Sequence, residues 1–386
     1  MEILFVSHKY PPAMGGMEKQ SFELIRQMGM LTTVHSIVYD GRESRFRFFS
    51  QLGKRITQVV NDNPGISIIH FNDGLMGAFS MFYRRHNNLK RAVTLHGLDV
   101  VFPGFIYQKF IFSKFNNFDL IFAVSSATAL ECKVRGISAE KIVVVNNGVD
   151  TSIKSNNARI VVDELLFQKY HTDIAGKRVL VGIGRPVKRK GFSWFIKNIL
   201  PGLHKDFVLL LIGPVQEKES GFSRLLRFLP PFISRKIELF LGAPGDETEL
   251  RKLLKKTNDK SRVVRMGKLP QDDIDAILGI ADGFIMPNIE VRGDMEGFGL
   301  VCLEACMRGT KVFASASGGI TDAIIHGRNG MLLPPGHITS WVFSLNSIIE
   351  DQNPLLTAED IIVYTKTHFG WQKMADQYYW HFKNLL

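Results

Sequence analysis

Short apolar runs, each long enough for a buried strand and most followed by a loop and a helix-length segment, recur along this chain. That alternation limits the possible fold more than any other feature. The runs fall at residues 1–7, 66–70, 92–95, 120–124 and 142–145, and after a more polar stretch again at 179–184, 207–212, 262–266, 283–286 and 311–314. Strands alternating with helices predict a parallel sheet covered on both faces. Two such series predict the architecture repeated without a repeated sequence, and 386 residues at 45% hydrophobic content suffice for two cores. The weakly periodic segment 151–177 places the boundary near its end, giving domains 1–172 and 173–370. A final aromatic, amphipathic segment, 371–386, reads as a helix packed on another surface.

Ligands of such sheets bind beyond the strand carboxyl ends, so the residues just after each run are the candidates for function. His96, in THGLD, follows the run 92–95 and precedes Gly97, and Asn147, in NNGVD, follows 142–145. After the first run, HKYPPAMGGMEKQ has the proline and glycine content of a sharp strand-to-helix connection. Gly15 and Gly16 precede a helix expected from about residue 18 to 28, where backbone N–H groups can meet a phosphate or a hydroxyl. A turn without a ligand is the alternative there. After 179–184, GRPVKRKG sets Arg185, Lys188, Arg189 and Lys190 at the same kind of edge. Converging cations would neutralise a diphosphate and help it leave, and a solvated basic loop is the alternative.

The stretch 287–319, PNIEVRGDMEGFGLVCLEACMRGTKVFASASGG, brings a loop, a helix start and two acids together. Gly297 and Gly299 let the backbone come close to a ligand, and the segment 300–307 reads as the first turns of a buried helix whose free N–H groups favour an anion. Glu304 lies roughly 6 Å along such a helix from Leu300, within reach of a ribose diol while the loop holds phosphate. Glu296 stands on the other side of the glycines. The geometry suits a sugar nucleotide.

Charge does not choose the partner: 48 Lys and Arg against 37 Asp and Glu give +11, which attracts nucleic acid, anionic lipid or a phosphorylated small molecule alike. The basic residues concentrate in GRPVKRKG and in amphipathic runs, not in a basic face carrying stacking aromatics, so nucleic acid is not expected. A nicotinamide-dependent enzyme would need G-x-G-x-x-G after the first strand, which HKYPPAMGG lacks. No Asp-x-Asp lies near the proposed site, so neither a metal nor a cofactor is expected. MEILFVSHKYPP does not read as a secretion signal, and no apolar run reaches about 18 residues, so a cytoplasmic protein is expected.

Two basic amphipathic runs leave peripheral association with the inner membrane face open. In the run 42–60, Phe46, Phe49, Ile56 and Val60 share a helical face with Arg47 and Lys54 opposite. Within 215–245, Phe222, Leu225, Leu226 and Phe232 mix with Arg224 and Arg227. An ordinary packed helix and a local insertion are the respective alternatives. Of three cysteines, Cys302 and Cys306 sit one helical turn apart in an apolar segment and read as small buried hydrophobes, with reactive thiols as the other possibility.

EGFGLVCLE, from Glu296 to Glu304, resembles the E-x7-E motif of the retaining glycosyltransferases of family 4, the group 1 glycosyltransferases. The resemblance continues in order through YPPAMGG, HGLD, VSSAT, NNGVD, GRPVKRKG, SGGITDAI and NGMLLPPG, nearly the whole chain. It implies a GT-B fold: α/β, with two facing Rossmann-like domains, a nucleotide-sugar cleft between them, and a final helix that crosses back to the first domain. It also implies roles. Arg185 and Lys190 would bind the donor diphosphate, Glu296 the sugar hydroxyls and Glu304 the ribose, with Gly297 and the backbone of Phe298, Gly299 and Leu300 along the phosphate. His96 would sit near the donor sugar, and Gly15 and Gly16 near phosphate or acceptor. The implied reaction is metal-independent transfer of a hexose from a donor such as GDP- or UDP-hexose, by front-face attack with retained configuration. The long polar lead-in NIEVRGDM departs from the commonest pattern and resembles members that use glycolipid or polyprenyl-linked acceptors, which brings Arg292 and Asp294 to the sugar pocket. The alternatives are a nicotinamide-dependent Rossmann protein and a non-catalytic partner subunit. Intact Arg185, Lys190, Glu296 and Glu304 argue against the second.

Overall fold

Two parallel sheets of six strands each organise the chain in a computed structural model, which describes residues 1–81, 83, 85–86, 88–152, 158–215, 245–256, 262–350 and 356–386. Each sheet belongs to its own compact unit. The first unit comprises Met1–Thr151, Met295–Leu300 and His368–Leu386, and the second Ser152–Asp294 and Val301–Thr367.

In the first unit the strands are β1 (Glu2–Ser7), β2 (Thr33–Val38), β3 (Ile66–Phe71), β4 (Lys90–Leu95), β5 (Leu120–Ala123) and β6 (Ile142–Val144), in the order β2-β1-β3-β4-β5-β6. The inner strands are buried on both faces, as continuous runs such as ILFV and IIHF require. The strand order reverses between β1 and β3. Helix α1 (Gly16–Met28) starts at Gly16 itself, two residues before the position read from the sequence.

Helix α2 (Arg45–Asp62) is capped by the Ser44 hydroxyl, which accepts from the Arg47 amide at 3.2 Å. It buries Phe48, Leu52, Ile56 and Val60 in the core. This corrects the apolar face expected of Phe46, Phe49, Ile56 and Val60. Phe46 stands about 200° round the helix from Phe48 and is 85% exposed. The apolar stripe of α2 is therefore spent on the sheet, at about 2 kcal/mol per buried side chain, and is not presented outward.

Helices α3 (Gly74–Ser80), α4 (Leu98–Val101) and α5 (Ser126–Val134) complete the connections. Ser125 of the VSSAT motif caps α5 by accepting from the Thr128 amide at 3.1 Å. The last helix, Trp371–Leu385, lies on this sheet: the Tyr378 hydroxyl meets Thr94 Oγ1 at 2.9 Å and its ring stacks on Phe122 at 4.0 Å. Its start crosses the NNGVD motif, where the Val149 amide donates to the Phe369 carbonyl at 2.9 Å and a Cβ on Gly148 would stand 2.5 Å from the Trp371 nitrogen. Only a glycine admits that crossing.

The second unit has β7 (Arg178–Ile183), β8 (Phe207–Ile212), β9 (Val263–Gly267), β10 (Gly283–Met286), β11 (Val312–Ser315) and β12 (Met331–Leu333), in the order β12-β11-β10-β7-β8-β9, with its reversal between β7 and β10. Helix α6 (Arg159–Tyr170) buries Val162 and Leu166 in this unit's core. The division therefore falls between Thr151 and Ser152 and not near residue 172. Helix α7 (Phe192–Asn198) follows β7.

Cys302 and Cys306 are buried in the second core, and burial pushes the Cys306 thiol up to about 12, so both act as small hydrophobes. No helix among the described residues is long and apolar enough to cross a membrane. Of the insertion singled out at 215–245, residues 216–244, including Phe222, Arg224 and Arg227, lie outside the described residues.

Candidate active site

The two places where strand order reverses are where a doubly wound sheet opens a crevice. At the first, residues following β1 and β3 meet directly: His8 Nδ1 and Asp73 Oδ2 are 2.9 Å apart. Asp73 is buried, and its other oxygen accepts from the Met76 amide at 2.9 Å, capping α3. Burial works to raise the Asp73 carboxyl, but the His8 ring and the Met76 amide outweigh it and hold the group below the usual carboxylate range. An ionised Asp73 fixes the proton on His8 Nδ1 and leaves Nε2 as the acceptor of the neutral ring.

His96 stands next to this pair. Its Nε2 donates to the Asn72 carbonyl at 2.8 Å, which leaves Nδ1 as acceptor in the neutral ring, and its amide donates to Asp99 Oδ2 at 3.2 Å. Asp99 also accepts from the Gly74 amide at 3.1 Å, and burial pushes its carboxyl above the usual range against the pull of His96. Two carboxyl groups with opposite displacements thus flank His96, Asp73 favouring the ion and Asp99 favouring the acid.

The segment Met295–Leu300 packs on the same unit. Gly97 has φ +96°, and a Cβ on it would stand 2.9 Å from the Gly297 α-carbon. A Cβ on Gly297 would reach within 2.1 Å of the His96 carbonyl oxygen. Both glycines are thus explained by contact of backbone with backbone, and half-buried Glu296 is held one residue from His96's turn. Gly299 has φ +90°, and Phe298 and Leu300 are buried. Gly15 is exposed, but the Glu18 carboxylate folds back over it, and Lys9 pairs with Glu18 at 3.6 Å. The start of α1 thus carries a side-chain carboxylate in the place read as a phosphate or hydroxyl contact. A Cβ on Gly16 would touch Leu300 at 3.4 Å.

At the second reversal, the loop after β7 packs against the segment after β10. Gly191 has φ +67°, and a Cβ there would stand 1.9 Å from the Pro287 carbonyl oxygen. The Ile289 amide donates to the Arg189 carbonyl at 2.9 Å, and Arg189 pairs with Asp294 at 3.6 Å. One of the four cations of GRPVKRKG is thus already paired within the protein. Arg189 is committed to Asp294, which shapes this loop and takes the carboxylate read as part of a sugar pocket. Arg185 and Lys188 are exposed, and Lys190 is only 8% exposed with its stem beside Gly184. The Asp246 carboxylate accepts from the Ser193 amide at 3.0 Å and from the Ser193 hydroxyl, pinning the first turn of α7.

Glu304 is half-buried on the helix Leu300–Cys306, which is fixed to the end of β10 by Cys302 Sγ lying 3.0 Å from Met286 Sδ. The Glu304 carbonyl accepts from Arg308 at 2.8 Å. Among the described residues no group of three or more His, Cys, Asp or Glu is arranged to hold a metal ion. His8, Asn72, Asp73 and Asp99 were missed in the sequence, although the rule that found His96, a polar residue directly after a buried strand, applies equally to His8 and Asn72.

A pair of doubly wound units with polar groups gathered at both reversals defines a Rossmann-like α/β protein of the GT-B class. The chain matches the family described as "Glycosyl transferases group 1" over residues 167–368, and "Glycosyltransferase Family 4" over 14–153. It belongs to the group 1 glycosyl transferases.

A D-inositol 3-phosphate glycosyltransferase of Pseudarthrobacter chlorophenolicus is 28% identical over 175 residues, which is 44% of this chain and 40% of that protein. A glycogen synthase of Mycobacterium tuberculosis is 29% identical over 147 residues, 37% of this chain and 34% of that one. The matched stretch thus spans well under half of these relatives. Among solved structures, Anabaena HepE in complex with UDP aligns over 100% of both chains at 19% identity with a TM-score of 0.74. The lipopolysaccharide outer core galactosyltransferase WaaB in its apo form aligns over 99% of both at 17% identity and a TM-score of 0.63. At these identities the likeness is one of fold.

Proposed function

We propose that this chain is a retaining hexosyltransferase that moves a hexose from a nucleotide-sugar donor, GDP- or UDP-hexose, to a glycolipid or polyprenyl-linked glycan acceptor in cell-surface polysaccharide or glycolipid assembly. The observation that carries the reading is the second reversal, where buried Lys190 and the glycines at 184 and 191 are built against the segment 287–289 that follows β10, in a group 1 glycosyl transferase. Lys190 and Arg185 take the donor diphosphate, the backbone of Phe298 to Leu300 adds N–H donors, and Glu304 takes the ribose. On the first unit, Glu296 orients the sugar and His96 lies near it, with Gly16 at the acceptor side.

Charge developing on the leaving diphosphate is met by these cations, so the reaction is proposed to run without a metal, the departing phosphate taking the acceptor proton from the same face. UDP and UDP-glucose are bound by the Anabaena HepE structures and favour a uridine nucleotide. WaaB, a lipopolysaccharide galactosyltransferase by name, favours a lipid-borne glycan acceptor. The family membership does not favour a nicotinamide-dependent enzyme.

The test is a thermal-shift screen with UDP, GDP, ADP, their hexose conjugates and NADH, with and without EDTA. A ligand at 100 times its dissociation constant stabilises by about 2.7 kcal/mol. A shift with a nucleotide diphosphate that survives EDTA, followed by release of the diphosphate from the matching nucleotide sugar, supports the reading. Silence to every nucleotide with a shift from NADH ends it.

A further inference from the structure

Residues 101–118, VFPGFIYQKFIFSKFNNF, belong to neither strand edge, and they carry Lys109 and Lys114 but no Asp or Glu. The segment winds as a π turn over Tyr107–Ile111 and a 3-10 turn over Phe112–Asn117. Its inner face is locked into the first core by Phe112, Phe115 and Phe118, all buried. Its outer face is apolar: Phe105 is 69% exposed, Ile106 71% and Phe110 53%. Lys109 Nζ lies 5.5 Å from the centroids of both Phe105 and Phe110, and Lys114 is exposed one turn further on. Large apolar side chains gathered on one outward face mark a contact surface, and here the anchored inner aromatics keep them from turning inward.

The charge on this face identifies the partner. The next acid along the chain, Asp119, is already engaged, pairing with Lys90 at 3.6 Å and accepting from the Arg91 amide at 2.8 Å. Aromatic rings flanked by lysines with no acid in the segment match the headgroup zone of an anionic bilayer, where rings sit at the interface and lysine stems reach lipid phosphates. The patch is also tied to the candidate site. The Tyr107 hydroxyl donates to the Asp99 carbonyl at 2.6 Å, and Gln108 Nε2 donates to the carbonyls of Val100 at 2.8 Å and Phe102 at 2.9 Å.

We propose that this face, Phe105, Ile106, Lys109, Phe110 and Lys114, docks the first unit on an anionic lipid surface. Docking there holds the His96–Asp99 turn at a fixed height above the headgroups, where a lipid-borne acceptor would present its sugar. This last consequence rests on the lipid-acceptor reading above, whereas the docking itself does not.

The test is co-sedimentation of the full chain with phosphatidylcholine vesicles, with and without about one third phosphatidylglycerol, run beside the UDP thermal shift. The wild type sediments with the anionic vesicles. Combining Phe105→Ser, Ile106→Ser and Phe110→Ser lowers the bound fraction at least about tenfold, and Lys109→Glu with Lys114→Glu about tenfold on anionic vesicles, each with the UDP shift unchanged. The paired lysine variant keeps the test alive should the apolar variant fold poorly. A wild type that stays in the supernatant, variants that sediment like it, or a patch whose loss dissolves an oligomer seen by light scattering would overturn the proposal. Vesicle binding that follows these residues in a chain silent to every nucleotide would sink the donor reading and leave the docking surface standing.

Discussion

Gly297 packs its α-carbon onto the carbonyl of His96 so closely that a Cβ would stand 2.1 Å from that oxygen. The His96 carbonyl has little freedom to retreat, since its ring donates to the Asn72 carbonyl and its amide to Asp99. Gly297→Ala must therefore push the 295–300 segment off the unit and carry Glu296 with it. We expect sugar transfer to fall about tenfold or more and stability to drop by about 1–3 kcal/mol. Initial rates and urea midpoints on the purified variant check both, and an unchanged rate would show that Glu296 does not depend on this contact.

The His8–Asp73 pair makes a separable prediction. Asparagine caps a helix as well as aspartate does, so Asp73→Asn keeps the start of α3 but removes the charge that fixes the His8 ring. Transfer should fall about tenfold or more with a stability change under about 1 kcal/mol, and adding His8→Ala should cost little further. Full additivity of the two substitutions would dissolve the pair as a functional unit.

Substitutions at the proposed donor site should split between rate and affinity. In the roles proposed above, Lys190 and Glu296 contact groups that gain charge in the transition state, so kcat should fall about 10²-fold for each of Lys190→Ala and Glu296→Gln. In its proposed role Glu304 grips a ribose diol in the ground state, so with Glu304→Gln the KM for the donor should rise about tenfold with kcat little changed. Steady-state kinetics with varied donor decides this, and a rate loss confined to Glu304 would reverse the assigned roles.

What the sequence disclosed follows from how strongly each residue is constrained. The inner strands are uninterrupted apolar runs, so β1, β3, β4, β5, β7, β8 and β10 were legible. The edge strands β2, with half its face exposed, and β12, three residues long, carry little such signal. The boundary at Thr151 was hidden because α6 buries only Val162 and Leu166 while Ile160, Val161 and Phe167 stay exposed, so its apolar residues mark no single face and do not say on which core the helix packs. Phe46 was misassigned because three phenylalanines in four residues fit several helical faces equally, and only the sheet selects Phe48. In the site, GRPVKRKG announced its cations but not that Arg189 would be claimed by Asp294, a partner more than 100 positions away.

His70 offers a test of the fold that needs no substrate. It is fully buried beneath the last helix, with Nε2 3.0 Å from Thr94 Oγ1 and 3.2 Å from Asn72 Oδ1 and its ring edge-on to Tyr378 and Phe382. Burial, reinforced by His96 and opposed by the Asn72 contact and Asp73, lowers its pKa from 6.5 to about 3. Below pH 6.5 the unfolded chain takes up a proton that the folded chain refuses until about pH 3. Stability is therefore lost as pH falls through that window, by about 1.4 kcal/mol per unit once well inside it. His70→Gln retains an amide for Thr94 and removes the titration. Between about pH 7.5 and about pH 5 the wild type should lose about 2 kcal/mol more than the variant in urea unfolding. Asp73, whose carboxyl also titrates on the acid side, is present in both proteins and cancels in the comparison. Parallel pH profiles would mean that the folded chain protonates His70 as readily as the unfolded one, and that burial under the last helix does not hold the ring neutral.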